Sequence, residues 1–195
     1  MKSVREEIEA LPEPKRSRMR AFYDDDEWKY SWELNGRPFQ IEPQSDDWRV
    51  WTIIAPPKSG KSYAGEHWVI QKFVHDHEGS GLCLFAHPQS VHMSYKPAFM
   101  AADMWQGYFE YRNEGDVFYE MKDVTSGKTL TFADYAQFER GHFKGTAYDF
   151  IWGDELLDPT KVITENPQTK KFLFTHPTKV PEGSTISRAG DPRAF

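Results

Sequence analysis

Short apolar runs, separated by polar or turn-forming residues, set the pattern of this chain. Four runs have the length and the Val, Ile, Phe and Trp content of buried β-strands, at residues 49–54, 81–86, 148–152 and 171–174. After the first run, Ala64, Trp68 and Val69 recur at helical spacing, which predicts a helix over residues 61–75. A second helix is predicted over residues 89–103. Strands that alternate with helices predict an α/β fold with a mostly parallel central sheet flanked by helices.

Shifts in composition divide the chain into three predicted segments. These are an N-terminal arm, a main domain and a C-terminal tail, at residues 1–47, 48–180 and 181–195. Within the arm, a short acidic helix is predicted over residues 2–10, and alternating aromatics over 28–32 indicate an edge strand or a segment lying on the domain. Two β-rich runs in the main domain, at 117–121 and 129–132, predict a β-hairpin that is an insertion or an antiparallel sheet edge. The tail is rich in Gly, Pro and Ser, which predicts a loop.

Composition and charge exclude several classes of protein. With 195 residues, 38% of them hydrophobic and 28% charged, the chain is large enough to bury a core without disulfides. No apolar run approaches the roughly 18 residues of a membrane span, and the N-terminus lacks the apolar region of a secretory leader. The single cysteine, Cys83, excludes a disulfide framework and suits a reducing cytoplasm. The net charge of −6 argues against tight, autonomous nucleic-acid binding.

Residues 55–62, APPKSGKS, lie between the first predicted strand and the first predicted helix. This order is required by the phosphate-binding loop G-x-x-x-x-G-K-[ST], although Ala55 replaces the first glycine. Gly60 lets the backbone approach a phosphate, and amides at the helix N-terminus attract an anion. Lys61 is predicted to reach the β- and γ-phosphates, and the Ser62 hydroxyl is predicted to ligate Mg²⁺.

An acidic pair follows the third predicted strand. Asp154 and Glu155 come directly after the run 150–153, so they are expected at the carboxyl end of a strand, where α/β sheets bind ligands. Asp154 is predicted to hold Mg²⁺ through water, and Glu155 to act as the general base for the attacking water. A polar residue, Thr175, ends the fourth strand and is a candidate sensor of the γ-phosphate.

Two segments resemble the ATPase domain of phage large terminases, the motors that package DNA. The first combines WRVW (48–51), the phosphate loop and AGEHW (64–68); the second, FKGTAYDFIWGDE (143–155), is similar to that family's Walker B region. THP (175–177) stands where the family has its coupling motif. The likeness runs from about residue 40 to residue 180. It implies a P-loop NTPase of the additional-strand, catalytic-glutamate class that hydrolyses ATP with Mg²⁺.

The resemblance also assigns site residues. Catalytic roles carry over to Lys61 and Glu155, to Thr175 as the coupling residue, and to Lys58, which replaces a basic residue of the loop and touches the γ-phosphate of its own or a neighbouring subunit. Metal ligation carries over to Ser62 and Asp154. A glutamine near the adenine is expected, for which Gln40 and Gln44 are both candidates. The residues expected to contact the nucleotide are Gln40, Pro57, Lys58, Ser59, Gly60, Lys61, Ser62 and Tyr63.

The resemblance implies partners as well. These are double-stranded DNA held transiently, a portal protein, a small terminase subunit and further copies in a ring, in the host cytoplasm at the procapsid. Only about 20 residues follow Thr175, so no nuclease activity is expected from this chain. Three explanations stay open: a motor split over two chains, a shortened sequence, and a packaging ATPase that leaves cutting to another protein. Two other classes stay open on the sequence: another P-loop DNA motor of helicase or recombination type, and a non-catalytic P-loop assembly module.

Overall fold

The fold was analysed in a computed structural model, which describes residues 2–25, 28, 31–45, 47–75, 79–91, 109–113 and 118–189. In the segment predicted as an N-terminal arm, the described residues include the short helices α1 (Val4–Glu9), α2 (Lys15–Arg20) and α3 (Trp32–Asn35), followed by a 3₁₀ turn at Pro38–Gln40. A capping box begins α1, because the Ser3 hydroxyl accepts from the Glu6 amide and the Glu6 carboxylate accepts from the Ser3 amide. The helix predicted over residues 2–10 is thus confirmed.

Within the described residues, eight strands form one sheet, and the last of them lies in the segment that was predicted to be a tail. They are β1 (Val50–Ile54), β2 (Gly81–Phe85), β3 (Phe109–Asn113), β4 (Phe118–Asp123), β5 (Thr129–Asp134), β6 (Phe150–Asp154), β7 (Lys171–Thr175) and β8 (Thr185–Arg188). Their order across the sheet is β3-β4-β5-β2-β6-β7-β1-β8. Neighbouring strands in the part β5-β2-β6-β7-β1-β8 are parallel. Strands β3, β4 and β5 pair antiparallel and form one edge of the sheet. The mostly parallel sheet is confirmed, and the predicted hairpin is the β4–β5 pair within this edge rather than a separate insertion.

Strand β7 lies between β1 and β6. The strand that precedes the phosphate loop and the strand that precedes the acidic pair are therefore separated by one further strand. This is the arrangement of the additional-strand class predicted from the resemblance. It brings the carboxyl ends of β1, β7 and β6 side by side at one edge of the sheet.

Helices cover both faces of the sheet. On one face, α4 (Lys61–Ile70) continues as a π-helical turn over Gln71–His75, and its buried residues pack with Trp51, Phe85 and Trp152. On the other face lie α5 (Tyr135–Glu139) and α6 (Pro159–Glu165), which cover the strand side chains that point away from α4. Because the central strands are buried on both faces, they read in the sequence as continuous apolar runs. Within the described part of the chain, every helix is too short or too polar to traverse a lipid bilayer.

Three predictions need correction or fall outside the described residues. The loop predicted after Pro181 is wrong for Thr185–Arg188, which form the edge strand β8 beside β1; the Trp51 indole donates to Ser187 Oγ at 2.9 Å there. Of the two alternatives for the aromatics over 28–32, the edge strand is wrong at Trp32, which begins a short helix. That helix lies on the domain, where the Trp32 ring stacks on His67 of α4. Most of the helix predicted over residues 89–103 lies outside the described ranges.

Candidate functional site

The loop between β1 and α4 turns sharply at Gly60, the residue that caps α4. Gly60 has φ +86°, a left-handed conformation that glycine adopts without strain. Its carbonyl accepts a hydrogen bond from Gln40 Nε2 at 2.7 Å, and a Cβ at Gly60 would lie 2.7 Å from that nitrogen. Gln40 is itself fixed, because its Oε1 accepts from the Arg37 amide at 2.8 Å. A side chain from the segment predicted as an N-terminal arm therefore contacts the phosphate loop.

Lys61 is the first residue of α4 and is only 8% exposed. Its Nζ donates to the carbonyl oxygens of Ala55 and Pro56, at 2.9 Å each, so the ammonium group spans the turn. The tip of the loop is different, since Pro57 and Lys58 are exposed. Ser59 Oγ is buried and has no hydrogen-bond partner among the described residues. A buried cation and an orphaned hydroxyl thus line the same turn.

Ser62 and Asp154 meet across the edge of the sheet. Ser62 Oγ donates to Asp154 Oδ2 at 2.8 Å, which joins the N-terminus of α4 to the end of β6. Asp154 is 7% exposed, and this burial raises the pKa of its carboxyl group, against the opposing effects of hydrogen bonds from Thr175 and Ser62. Two residues that are 92 positions apart in the sequence therefore share one small oxygen-rich site.

Thr175 lies on the other side of Asp154. Its hydroxyl, which is fully buried, donates to Asp154 Oδ1 and accepts from Trp152 Nε1 at 3.0 Å. Register explains the contact, because Thr175 of β7 pairs with Asp154 of β6. The hydroxyl that sequence reasoning considered as a γ-phosphate sensor is thus directed at the carboxylate in this structure.

Glu155 begins the connection after β6 and is exposed. Its amide donates to the Thr175 carbonyl at 2.9 Å, and its negative charge contributes to the raised pKa of Asp154, so the two carboxylates are electrostatic neighbours. Glu155, Lys58 and His176 have positive φ angles of 56°, 61° and 53°, and no other non-glycine residue in the described ranges does. All three follow the ends of β6, β1 and β7. Strained backbone is therefore concentrated at this edge of the sheet.

A cavity of about 280 Å³ opens beside the loop, lined in part by Trp32, Asn35, Gln40, Lys58 and Tyr63. The structure therefore brings Gln40 to the phosphate loop. Gln44 does not line this cavity; it borders two others, one of which Gln40 also lines. Tyr63 is 54% exposed, and its ring packs edge-on against Trp32. No local sequence signal distinguishes the two glutamines, since only the 3₁₀ turn at Pro38–Gln40 aims one of them at the loop.

The residues suit a hard cation that shares its ligands with a phosphate. Ser62 and Asp154 offer oxygen atoms, which Mg²⁺ prefers. Among the described residues, no three His, Cys, Asp or Glu side chains converge as a metal cage. Such a cation would therefore need further oxygens from a nucleotide and water.

Sequence reasoning did not assign a role to Trp152. It lies two positions before Asp154 on the same face of β6, and its indole contacts Thr175 on the neighbouring strand. Its spacing from Asp154 was visible in the sequence, but its partner was not, because the β6–β7 pairing is a tertiary feature.

Comparisons with known proteins give a likeness of fold. No protein-family model and no curated protein sequence matches the chain. The ATPase domain of the Thermus phage P74-26 large terminase matches 74% of this chain and 68% of its own, with 13% identity and a TM-score of 0.51. A mutant of that domain gives the same TM-score and identity, with 69% of its length covered. The N-terminal domain of the DNA packaging ATPase from bacteriophage phi29 covers 75% of this chain at 10% identity, with a TM-score of 0.48.

The two matches to the P74-26 domain agree in fold with the resemblance drawn from the two motif segments. In this chain, the strand order places β7 between β1 and β6. The chain has the P-loop fold of the phage large terminase ATPase domain.

Proposed function

We propose that the chain is an ATP-hydrolysing motor domain of a phage DNA-packaging terminase, which couples hydrolysis to translocation of double-stranded DNA into a procapsid. The observation that carries the proposal is the 2.8 Å contact between Ser62 and Asp154. It joins the phosphate loop to the acidic strand end within a fold that phage terminase ATPase domains share. A phosphate loop and a carboxylate in contact form the minimal frame for a Mg-nucleotide.

The loop residues bind the triphosphate in this proposal. The amides at the start of α4 and the Lys61 ammonium group bind phosphate oxygens, for which Lys61 exchanges its contacts with Ala55 and Pro56. Ser59 Oγ gains the partner that it lacks among the described residues. Ser62 and Asp154 hold Mg²⁺, which neutralises charge on the phosphate oxygens when bound.

Glu155 is the proposed general base. A water molecule attacks the γ-phosphorus, the bond from the γ-phosphorus to the β–γ bridging oxygen breaks, and the proton of the water passes to the Glu155 carboxylate. Two observations support this role: Glu155 is exposed, which is compatible with contact to solvent water, and it directly follows Asp154 at the carboxyl end of β6. Thr175 acts as the coupling residue through Asp154.

The remaining proposed site residues lie near the adenine base and at the tip of the phosphate loop. Gln40, beside the cavity of about 280 Å³, is the proposed neighbour of the adenine, with Tyr63 at the mouth. Pro57 and Lys58 form the exposed tip, where Lys58 can reach the γ-phosphate of its own or an adjacent subunit.

The proposed partners are those of a packaging motor. They comprise duplex DNA, a portal protein, a small terminase subunit and further copies of the chain in a ring, in the host cytoplasm. The net charge of −6 favours weak, transient contact with DNA over tight binding by one subunit.

Calorimetry with Mg-ATP tests the phosphate loop directly. Lys61→Ala is expected to weaken ATP binding about 10-fold or more, because it removes a charged hydrogen-bond donor to phosphate. Lys122→Ala, an exposed lysine on β4, is the matched control and is expected to bind like the wild type. Absence of binding by folded wild-type protein would contradict the proposal and favour a non-catalytic assembly module.

Turnover tests the acidic pair. Glu155→Gln is expected to bind Mg-ATP normally while hydrolysis falls about 10²- to 10⁴-fold, because the amide cannot accept the proton from water. Near-normal turnover by this variant would refute the role of Glu155. Strand separation on a forked duplex would point instead to a helicase-type motor.

A further inference from the structure

A buried chain of hydrogen bonds runs from an indole to the proposed metal ligand. Trp152 Nε1 donates to Thr175 Oγ1 at 3.0 Å, and the Thr175 hydroxyl donates to Asp154 Oδ1. Trp152 and Thr175 are completely buried, and Asp154 nearly so. Water therefore does not compete for these groups, and each must find its partner inside the protein.

The chemistry of the three groups fixes the direction of this chain. An indole N–H can only donate, so the Thr175 oxygen is the acceptor of that bond. A threonine hydroxyl has one hydrogen, which is then left for the carboxylate. Trp152 thus makes Thr175 a donor to Asp154, although it does not touch Asp154 through a hydrogen bond itself.

This direction divides the two oxygens of Asp154 between two neighbours. Oδ1 is held by Thr175 on β7, whereas Oδ2 faces Ser62 on α4. With one oxygen tethered, rotation of the carboxylate is restricted, and Oδ2 stays on the side of the phosphate loop.

The indole is itself immobilised. A Cβ at Gly65 would lie 2.1–2.3 Å from the atoms of the Trp152 ring, so α4 rests directly on it. Phe85 of β2 meets the same ring edge-on, with the centroids 5.1 Å apart. The donor N–H is consequently fixed in space by the core.

We propose that Trp152 is a positioning residue of the metal site: acting through Thr175, it holds Asp154 with Oδ2 towards Ser62 and so sets the affinity of the nucleotide-bound site for Mg²⁺. The inference rests on the proposed function, because it assumes that Ser62 and Asp154 hold Mg²⁺. It adds a residue that neither touches the nucleotide nor binds the metal. Partners that orient a metal ligand commonly alter metal affinity about 10- to 100-fold when removed.

The test separates metal affinity from nucleotide affinity. ATP binding to Trp152→Phe is measured by calorimetry in EDTA and over a series of Mg²⁺ concentrations. Binding in EDTA is expected to stay within about twofold of the wild type, whereas the Mg²⁺ concentration for half-maximal enhancement rises about 10-fold or more. Phe keeps an apolar ring in the core but cannot donate.

Trp68→Phe is the matched control. Trp68 is 3% exposed in the same core cluster, and its Nε1 has no hydrogen-bond partner within the described residues. The control therefore changes a buried indole to a phenyl ring without removing a hydrogen bond. An equal change in Mg²⁺ dependence for Trp68→Phe and Trp152→Phe would assign the effect to packing and overturn the proposal.

Thr175 supplies a second pair of variants, which decides the matter even if Trp152→Phe does not fold. Thr175→Val removes the hydroxyl at nearly constant volume and is expected to reproduce the loss of Mg²⁺ affinity, while Thr175→Ser is expected to restore it. Unchanged Mg²⁺ dependence in Thr175→Val, with wild-type protein that binds Mg-ATP, would refute this inference alone. Wild-type protein that binds no nucleotide would refute the proposed function, and the inference with it.

Discussion

At the scale of single residues, Asp154 combines a chemical role with a cost to folding. Burial raises the pKa of its carboxyl group above the ordinary value of 3.8, so the folded chain holds this proton more tightly than the unfolded chain. The resulting contribution to stability is complete below pH 3.8 and is lost as the pH rises through the raised pKa of the folded state. Above the raised pKa, where the carboxyl group is ionised, burial of Asp154 therefore weakens the fold.

Asp154→Asn is expected to raise the free energy of unfolding at pH 7 and to abolish Mg²⁺-dependent nucleotide binding. The amide stays neutral, its oxygen can accept from Thr175, and its nitrogen can donate to Ser62. Thermal unfolding checks this, since each 1 kcal/mol of stability corresponds to about 2–4 °C in a chain of this size. The difference from the wild type should shrink as the pH falls towards 4.

Asp158→Asn is the control for that experiment. Asp158 is an exposed N-cap residue of α6, a position where Asn and Asp are equivalent, so a change within about 0.5 kcal/mol is expected. A less stable Asp154→Asn variant at pH 7 would contradict the argument from burial.

At the scale of elements, the sequence predicted what is locally encoded and missed what depends on neighbours. The apolar runs and Gly60 predict three consecutive elements from local sequence alone, namely β1, the phosphate loop and α4. β8 could not be recognised, because Thr185–Arg188 is short, polar and largely exposed, and becomes a strand by pairing with β1.

The same distinction holds inside the site. The sequence identified Ser62, Asp154 and Thr175 separately, each at the end of its element. It could not join Asp154 to Thr175 or choose Gln40 over Gln44, because those contacts depend on the strand order and on the docking of the arm.

The close approach of α4 to β6 predicts that a larger side chain between them lowers the stability of the protein. Gly65→Ala is expected to destabilise the protein by about 1–3 kcal/mol, because the new methyl group would overlap the Trp152 ring. Intrinsic helix propensity acts in the opposite direction, by about 1 kcal/mol in favour of Ala. Urea unfolding measures the balance, and a net gain in stability would show that the helix can move away from the strand freely.

At the scale of the whole molecule, the sheet separates two apolar cores. β2 lies near its middle, between β5 and β6, with alternate side chains in either core. Cys83 of β2 is fully buried, and burial raises the pKa of its thiol well above the ordinary value. The only cysteine of the chain therefore reports on the opening of the entire sheet.

Labelling of Cys83 by a thiol reagent such as DTNB is expected to require global unfolding. In native buffer the reaction should be slow compared with that of a free thiol, and its rate should rise with urea in proportion to the equilibrium fraction of unfolded protein. Ellman absorbance and circular dichroism on the same samples check this. Fast labelling without loss of dichroism would mean that β2 opens locally, apart from the rest of the fold.

The contact between Gly65 and Trp152 also bears on how relatives of this chain can be recognised. Neither side chain can grow unless the other shrinks, because the gap between helix and strand is filled. Among chains that share this fold, the volumes at these two positions are therefore expected to vary inversely. At 13% identity, matching letters carry little information. The combined volume of the two side chains can stay constant even when both residue types change, because the spacing between the helix and the strand is retained.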